Sequence, residues 1–533
     1  MAKILKKASI CREALLRAGN RAIAVDASKV SVLDSPTEFY ETLIGQIERS
    51  RRRVTLASLY LGTGEKEQRL VRALDTRMAA LPELRATVLL DHNRGLRRGR
   101  GGEPSSADMF APLKREHGAA ADVCFYLMPQ LRDSLTFIPS KWRRGLMEGQ
   151  AVQHLKAYVF DDTVVMSGAN LSDDYFTNRQ DRYVVFEDAP ELAEHYHSLV
   201  RSLVPFSHEL SLDALDAPKE SEVRRRPVAP PRVSDTVAET SALESCLRRS
   251  DARHEASSAA AVVRAADDPR TALVFPTVQQ PSLLLRNDEA VTAALLRVAS
   301  ETTSDAPAAA HVDISSGYLN LHSGYSDLLV NGQSAVRILT ASPRANGFYG
   351  ARGIAGALPL AYSLIEQQFM KKCARAARYG GESGVRLYEY TRPQWTFHGK
   401  GLWLSSTSSG STSGSGGAEE EEEEEEEVDQ ADQAKAEAEA VGDCLPFCTV
   451  VGSPNLGRRS VDRDLESAVV LLTRHPGLQH ALAEERRRLF EVHTETIDDA
   501  VFERPDRKIG PQILGWANGN WIRVAMPILQ PYF

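Results

Sequence analysis

The sequence predicts an α/β protein of two similar halves, each a mixed, mostly parallel-cored sheet flanked by helices, with one active site between them. Short β-rich runs alternate with helical stretches along the 533 residues, which is typical of α/β units. The same series of apolar runs then occurs twice, as VTLASLYLGTG and VDISSGYLN, as ATVLLD and AVRILTAS, and as YVVF and AVVLL. An internal duplication is the simplest explanation of this order.

Composition divides the chain into four segments. They are residues 1–29, a targeting segment or N-terminal helix; 30–212, the first half; 213–270, a low-complexity linker; and 271–533, the second half. Within the second half, a Ser/Thr/Gly run and nine consecutive glutamates, Glu419–Glu427, predict a disordered acidic insertion at 405–442. The linker and the insertion are both too polar to bury a core of their own.

The N-terminal segment has two interpretations. Its first 24 residues carry six basic side chains against one acid, Glu13. Apolar side chains from Ile4 to Ala18 recur at helical spacing. This pattern fits an organelle transit peptide, and it equally fits an amphipathic basic first helix of the fold.

Charge and cysteine content limit the class of function. The net charge is −8, but the segment Glu419–Glu439 alone carries −12, which leaves +4 on the rest of the chain. A mildly basic body suits phosphate-bearing substrates or an anionic membrane surface. The six cysteines include no CxxC pair, so neither a zinc site nor a disulfide framework is expected. Since no run of about 18 apolar residues occurs, a lipid substrate must be reached from the membrane surface.

Two copies of one motif carry the candidate chemistry. The first is HLKAYVFDDTVVMSGANLSDDYFTNRQDRY; the second is HGKGLWLS and, after the insertion, VVGSPNLGRRSVDRDLESAVV. Each contains His-x-Lys, a turn of small residues, an asparagine, and an acid eleven residues after that asparagine. A single His-x-Lys usually marks only a half-exposed strand, but two copies with equal spacing are not explained by coincidence. The candidate catalytic residues are His154, Lys156, Asp161, Asn170, Asp181, His398, Lys400, Ser453, Asn455 and Glu466.

These residue types suit the transfer of a phosphoryl group. Residues i and i+2 of a strand point to one face, so each histidine is expected to project together with its lysine. Lysine and asparagine side chains hold the oxygens of a phosphodiester and stabilise charge in the transition state. One imidazole attacks phosphorus, the other transfers protons, and the acids orient the imidazoles. The motif leaves open which acid supports which histidine and which histidine attacks.

Both copies resemble the HxK(x)4D signature of the phospholipase D superfamily, although the second has Ser405 in place of the aspartate. Longer segments such as SLYLGTGEKEQRLV, ASPRANGFYGARGIAGALPLAY, WTFHGKGLWL and the tail MPILQPYF look like the mitochondrial-type phosphatidylglycerophosphate synthases. The likeness covers Val30–Pro205 and Ala272–Phe533, outside the insertions. It implies that a phosphatidyl group moves from CDP-diacylglycerol to glycerol 3-phosphate through a phosphatidyl-histidine. By the same resemblance His154 is the attacking histidine.

The resemblance also implies a peripheral enzyme at the inner-membrane surface of the mitochondrion, acting in phosphatidylglycerol and cardiolipin synthesis. The histidine mechanism requires no cofactor, although a divalent cation could assist at the pyrophosphate. The alternatives are a phospholipase D-type hydrolase, a cardiolipin or phosphatidylserine synthase, and a non-catalytic membrane scaffold. A nucleic-acid phosphodiesterase is disfavoured because the body lacks an aromatic and basic stripe, so no nucleic-acid partner is expected.

A basic loop is a second, weaker candidate for binding substrate. It follows the predicted strand that ends at Asp91, and glycines separate its arginines. Such a loop could bind the pyrophosphate, glycerol 3-phosphate or lipid headgroups, or it could simply be solvated. Its basic residues are Arg94, Arg97, Arg98 and Arg100.

Overall fold

The structure is a computed structural model that describes part of the chain. The described residues are 2–99, 101–132, 149–212, 228–229, 231–249, 268–301, 310–351, 353–381, 383–405 and 445–507. The acidic insertion beyond residue 405, the tail MPILQPYF and much of the predicted linker lie outside them.

The described strands and helices alternate along the chain. The strands are β1 (Ile23–Asp26), β2 (Val30–Leu33), β3 (Arg53–Ala57), β4 (Arg85–Asp91), β5 (Ala121–Tyr126), β6 (Ala157–Phe160), β7 (Thr163–Ser167), β8 (Arg179–Gln180), β9 (Tyr183–Phe186), β10 (His208–Leu210), β11 (Val228–Ala229), β12 (Thr271–Gln280), β13 (Leu285–Arg286), β14 (His311–Ser316), β15 (Val336–Ala341), β16 (Val385–Tyr390), β17 (Thr396–Phe397), β18 (Lys400–Ser405), β19 (Pro446–Gly452), β20 (Glu466–Leu472) and β21 (Thr494–Thr496). The α-helices are α1 (Ala2–Arg17), α2 (Pro36–Arg49), α3 (Glu65–Ala80), α4 (His92–Gly95), α5 (Ser106–His117), α6 (Asp173–Thr177), α7 (Pro190–Leu203), α8 (Thr236–Arg249), α9 (Asn287–Ser300), α10 (Ser323–Asn331), α11 (Leu358–Arg375), α12 (Arg458–Asp462) and α13 (Pro476–Glu491).

Two mixed sheets form the centres of the two halves, which confirms the predicted α/β fold. The first has the order β11-β10-β5-β4-β3-β6-β7-β9-β2, and the second β1-β12-β20-β19-β18-β14-β15-β16-β21, with β13 beside β12. Parallel pairing is confined to β3, β4 and β5 in the first sheet and to β14, β15 and β16 in the second. From β10 to β2 the first order matches the second from β21 to β12 position by position, as expected of a duplication.

The parallel strands are buried on both faces of the sheet, as is usual where helices cover both sides. In β4, Val88 and Leu89 point to opposite sides of the sheet, yet they are 1% and 0% exposed. Helix α2 begins at a Ser35 cap that accepts the backbone N–H of Glu38, with a proline in its first turn. Such local signals place the helices on the sheet, and the connections between them carry the motif residues.

The N-terminal residues pack on the second half rather than the first. Helix α1 buries Cys11 and Leu15 completely in the apolar core of the second sheet. The ammonium group of Lys7 donates to the carbonyl oxygens of Val298 and Glu301 at the end of α9, at 2.9 and 2.6 Å. Strand β1 then pairs antiparallel with β12. Of the two interpretations of residues 1–29, this packing matches an N-terminal helix of the fold.

Part of the predicted low-complexity linker is ordered instead. Helix α8 buries Leu243 completely in the core shared with the first half. Its Glu239 accepts the hydroxyl of Tyr126 and pairs with Arg132 at 2.8 Å. The expectation that this whole stretch is too polar to bury is therefore wrong for α8, because its buried acid has hydrogen-bonding partners.

No helix in the described part of the chain has the length and hydropathy needed to cross a bilayer.

Candidate active site between the two halves

The two His-x-Lys segments cross from one half to the other. The residue before the first histidine, Gln153, forms a parallel bridge to Leu465, and the N–H of His154 donates to the carbonyl oxygen of Leu465 at 2.8 Å. In the other direction β17 pairs with β8, and the N–H of His398 donates to the carbonyl oxygen of Gln180 at 2.8 Å. Each histidine is thus joined by its backbone to the residue just before the acid of the other copy.

The side chains repeat this crossing. Nδ1 of His154 lies 2.9 Å from Oε2 of Glu466, and Nδ1 of His398 lies 2.6 Å from Oδ2 of Asp181. The acid of each copy therefore supports the histidine of the other copy, which answers the pairing that the motif left open. Because a carboxylate only accepts hydrogen bonds, each Nδ1 carries the hydrogen and each Nε2 has the lone pair. In His398 that Nε2 also lies 3.0 Å from Nζ of Lys400.

Both lysines fold back beside their histidines. Nζ of Lys156 donates to the carbonyl oxygen of His154 at 2.9 Å, and Nζ of Lys400 donates to that of His398 at 3.0 Å. The predicted strand is wrong in the first copy, since β6 begins at Ala157, after both motif residues. The reason is the bridge to the other half, which takes this segment out of the sheet. In the second copy the strand is interrupted, since His398 lies between the end of β17 and the start of β18 at Lys400. In both copies the lysine nevertheless lies beside its histidine, as expected.

Burial dominates the electrostatics of the pocket. It lowers the pKa of His154 well below the ordinary value, and Lys156 lowers it further. Burial, Lys400 and Arg179 do the same to the pKa of His398, and the nearby His154 contributes. Burial also lowers the pKa of Lys400 to about 8, although Asp181 and Glu466 raise it. Both imidazoles are therefore neutral near pH 7, as an attacking imidazole must be.

Two residues that sequence reasoning missed, Tyr175 and Ser460, each stand five residues after a motif asparagine. The hydroxyl of Tyr175 accepts from Nδ2 of Asn170 at 3.1 Å and lies 3.2 Å from Nε2 of His398. Ser460 accepts the N–H of Asn455 at 3.1 Å and donates to Oε1 of Glu466 at 2.8 Å. Equal spacing from the asparagine was the signal that could have found them.

The two motif asparagines offer polar atoms to a ligand. Within the described residues, Oδ1 of Asn170 and Oδ1 of Asn455 are buried and have no hydrogen-bond partner. A buried polar atom without a partner costs free energy, and an amide oxygen only accepts, so a ligand hydroxyl that donates to these atoms would remove that cost.

The small-residue turns make room for the crossed contacts. A Cβ atom at Gly168 would lie 2.8 Å from Oδ1 of Asp181 and 2.9 Å from Nζ of Lys400, so a larger residue would displace both. At the matching position of the second copy, Ser453 accepts the N–H of Ser467 at 3.1 Å. It also lies close enough to Glu466 to lower the pKa of that acid, against the larger effect of burial.

Asp161 does not join this pocket, although it was among the catalytic candidates. Its carboxylate accepts the backbone N–H groups of residues 51–53 at 2.8 to 3.0 Å. It thereby fixes the turn between β6 and β7 to the start of β3. At the matching position of the second copy, Ser405 accepts from Nη1 of Arg486 at 2.8 Å. Both positions are structural, which is why one of them has lost its acid.

The basic loop does not act as one unit. The guanidinium of Arg94 lies 4.8 Å from the ring centre of Tyr60 and is half-buried. By contrast Arg97 and Arg98 are exposed, and Arg100 lies outside the described residues. Arg94 therefore lies against a tyrosine ring, while Arg97 and Arg98 point to solvent. The described residues contain no group of three or more His, Cys, Asp or Glu that could hold a metal ion.

A buried ion pair that sequence reasoning also missed fixes Asp181 in place. Arg182 is 1% exposed and donates to both carboxylate oxygens of Glu485 at 2.8 Å and to the carbonyl oxygen of Val450 at 2.7 Å. Its guanidinium lies 3.7 Å from the ring of Trp403. A Cβ at Gly401 would come within 2.4 Å of Nη1 of Arg182, so this glycine keeps the space open. The first half is thus anchored inside the second.

Comparison with known proteins places the chain among lipid-modifying enzymes, while no protein-family model matches it. The human mitochondrial CDP-diacylglycerol–glycerol-3-phosphate 3-phosphatidyltransferase is 34% identical over 527 residues, which cover 96% of this chain and 84% of its own. The Saccharomyces cerevisiae CDP-diacylglycerol–glycerol-3-phosphate 3-phosphatidyltransferase is 30% identical, with 91% and 86% covered. The solved phosphatidylserine synthase of Haemophilus influenzae Rd KW20 is 17% identical over 98% of this chain, and its TM-score of 0.65 shows a shared fold.

We predict that Arg182→Met lowers the free energy of unfolding by about 3–5 kcal/mol, because it leaves the buried carboxylate of Glu485 without its partner. Urea denaturation followed by tryptophan fluorescence measures the change. The double variant Arg182→Met with Glu485→Met removes both charges and should recover most of the loss. A single variant within about 1 kcal/mol of the unaltered protein, which is the range of an exposed pair, would contradict the prediction.

Proposed function

The chain belongs to the family of CDP-diacylglycerol–glycerol-3-phosphate 3-phosphatidyltransferases, and we propose that it transfers the phosphatidyl group of CDP-diacylglycerol to glycerol 3-phosphate. The products are phosphatidylglycerophosphate, a precursor of phosphatidylglycerol and cardiolipin, and CMP. The observation that carries this proposal is the 34% identity to the human enzyme across 96% of the chain. The site supports it, because the motif histidines, lysines, asparagines and acids of both copies meet in one pocket.

The transfer proceeds in two displacements at phosphorus. Nε2 of His154 attacks the phosphatidyl phosphorus, an N–P bond forms, and the P–O bond to CMP breaks. CMP leaves as a phosphate anion whose charge the lysines stabilise, and Nε2 of the neutral His398 then takes the proton of the acceptor hydroxyl as that oxygen replaces the histidine. The assignment is supported by the hydrogen bonds: among described residues Nε2 of His154 has no partner, whereas Nε2 of His398 lies 3.2 Å from the hydroxyl of Tyr175.

The remaining motif residues hold the phosphate and the imidazoles. The two lysines and the two asparagines bind the non-bridging oxygens and stabilise the charge that develops on them. Asp181 and Glu466 fix the ring orientation of the opposite histidine. Since the lysines neutralise charge at phosphorus, the transfer requires no cofactor, and any divalent cation would act on the pyrophosphate.

The protein works as a peripheral enzyme on the inner-membrane surface of the mitochondrion, without a nucleic-acid partner. The relatives from human and mouse carry the word mitochondrial in their names. The net charge of +4 outside the acidic segment suits an anionic lipid surface.

The first test is a transfer assay with CDP-diacylglycerol and radiolabelled glycerol 3-phosphate, with and without a chelator. We expect equal amounts of labelled lipid and CMP, with the chelator making little difference. His154→Ala and His398→Ala should each lower the rate by at least about 10²–10⁴-fold, because nucleophilic or proton-transfer catalysis is lost. His480→Ala changes an exposed histidine of α13 and serves as the control.

Release of CMP without any need for glycerol 3-phosphate would instead indicate a hydrolase. Substrate that is chiral at phosphorus tests the intermediate, since two displacements retain configuration. Inversion would mean that the acceptor attacks directly, with both histidines acting only as acid and base.

The second prediction concerns pH. Lys400 binds phosphate only in its charged form, which is present below its pKa of about 8 and lost above it. We therefore expect kcat/KM to fall as the pH rises through about 8. The variant Lys400→Arg should move this fall to higher pH, since a guanidinium stays protonated. A profile that stays level to pH 9 in the unaltered protein would refute the assignment.

The third prediction concerns the membrane. A protein held by basic and apolar surface should leave sedimented anionic vesicles in high salt or in sodium carbonate, because salt screens its attraction to the lipid. Flotation of the vesicles before and after each treatment measures this. Retention through both treatments would mean a firmer anchor than the one proposed.

A further inference from the structure

The two halves carry an ion pair at equivalent positions, but with opposite charges. In the first copy the residues four and nine places after the motif asparagine are Asp174 and Arg179, whose side chains lie 3.1 Å apart. In the second copy the same places hold Arg459 and Asp464, 2.8 Å apart. The reversal makes an otherwise symmetric pocket electrostatically unequal.

Arg179 makes the side of His398 positive. Its side chain is only 12% exposed, and its guanidinium lies 4.7 Å from the ring centre of Tyr175. The hydroxyl of that tyrosine is the group 3.2 Å from Nε2 of His398. Its partner Asp174 is 62% exposed, so solvent screens the carboxylate more than the guanidinium.

The side of His154 instead holds an additional buried carboxylate. Asp464 is buried and accepts the N–H of Val152, two residues before the histidine, at 2.8 Å. It raises the pKa of His154, in opposition to the larger lowering by burial and by Lys156. Two carboxylates, Asp464 and Glu466, therefore lie near this imidazole, and Lys156 and Arg459 offset their charge.

A second cation joins Arg179 on the positive side. The ring of Tyr318 lies edge-on to His398, with centres 5.6 Å apart. Burial raises the pKa of Tyr318, and both Arg179 and Arg94 oppose that effect. A Cβ atom at Gly347 would lie 2.9 Å from the hydroxyl of Tyr318 and 3.1 Å from Nη2 of Arg179, so this hydroxyl and this guanidinium can donate to one anion. Arg94 lies 4.8 Å from the ring centre of the neighbouring Tyr60.

We propose that Arg179, Arg94 and Tyr318 form a subsite for the phosphate group of glycerol 3-phosphate and so select the acceptor. This rests on the proposed function. In a double displacement the acceptor enters opposite His154 and hence beside His398. Its phosphate then lies three carbons beyond the attacking hydroxyl, whereas the phosphorus of the departing nucleotide is only one bridging oxygen from the reaction. The phenol ring of Tyr175 separates the guanidinium of Arg179 from His398. This separation suits the phosphate of the acceptor, which is the more distant of the two.

The variant Arg179→Met tests the subsite in the full-length protein with CDP-diacylglycerol in vesicles. We expect KM for glycerol 3-phosphate to rise about 10–100-fold, the loss expected for one charge-assisted hydrogen-bonding group. Selectivity for glycerol 3-phosphate over uncharged glycerol should fall by a similar factor. Arg179→Lys keeps the charge and should recover part of the KM. Exchange of labelled CMP into CDP-diacylglycerol needs no acceptor and should therefore fall far less than transfer does, and the exchange that remains shows that the variant is folded.

Arg69→Met is a matched control. Arg69 also lies over a tyrosine, 5.4 Å from the ring centre of Tyr40, and pairs with Glu41 at 2.7 Å, but on the exposed surface. It should change neither KM nor exchange. The proposal is overturned if Arg179→Met leaves KM within twofold, or if CMP exchange falls as far as transfer does, since Arg179 would then serve the nucleotide step. An unaltered protein that makes no lipid from glycerol 3-phosphate would instead refute the proposed function.

Discussion

The site depends on two carboxylates that reach across the boundary between the halves. Asp181 orients His398, and Glu466 orients His154, each through a contact shorter than 3 Å. Neither half can hold its own imidazole, so the geometry of the site is the geometry of the interface. That interface is rigid because Arg182, the residue after Asp181, is buried within the second half on Glu485. Separating the buried charge of Arg182 from Glu485 would be unfavourable, since removing the partner of such a charge costs several kcal/mol.

The sequence predicted the members of the site but not their partnership. Equal spacing from asparagine to acid identified both copies, because a duplication keeps the number of residues between the members of a motif. The spacing does not show which distant segments pair with each other. The contact between His154 and Glu466 depends entirely on that pairing. The strand predicted through the first His-x-Lys was wrong for the same reason, since the bridge from Gln153 to Leu465 replaces pairing within the sheet. Arg182 escaped notice because a buried arginine has no local signature.

The two copies differ in the residues around their histidines, as the proposed two-step transfer would require. Their histidines, lysines, asparagines and acids are equivalent, yet the residues around them are not: Tyr175 matches Ser460, and Gly168 matches Ser453. A double displacement needs one imidazole to attack and one to move protons, so two identical halves would not distinguish the roles. The hydroxyl of Tyr175 engages Nε2 of His398 and leaves that of His154 unoccupied by the described residues. The reversed ion pairs extend the asymmetry from hydrogen bonding to charge.

Exclusion of water is the requirement that separates transfer from hydrolysis. A phosphatidyl-histidine would react with water as readily as with an alcohol unless water is kept away. His398 is 4% exposed, and the rings of Tyr175 and Tyr318 stand edge-on to it, with centres 4.9 and 5.6 Å away. The burial that lowers the pKa of both imidazoles also strengthens every charge interaction inside the pocket. A charged acceptor held by arginines beside these rings would then reach phosphorus at a far higher effective concentration than bulk water, because binding replaces a chance encounter.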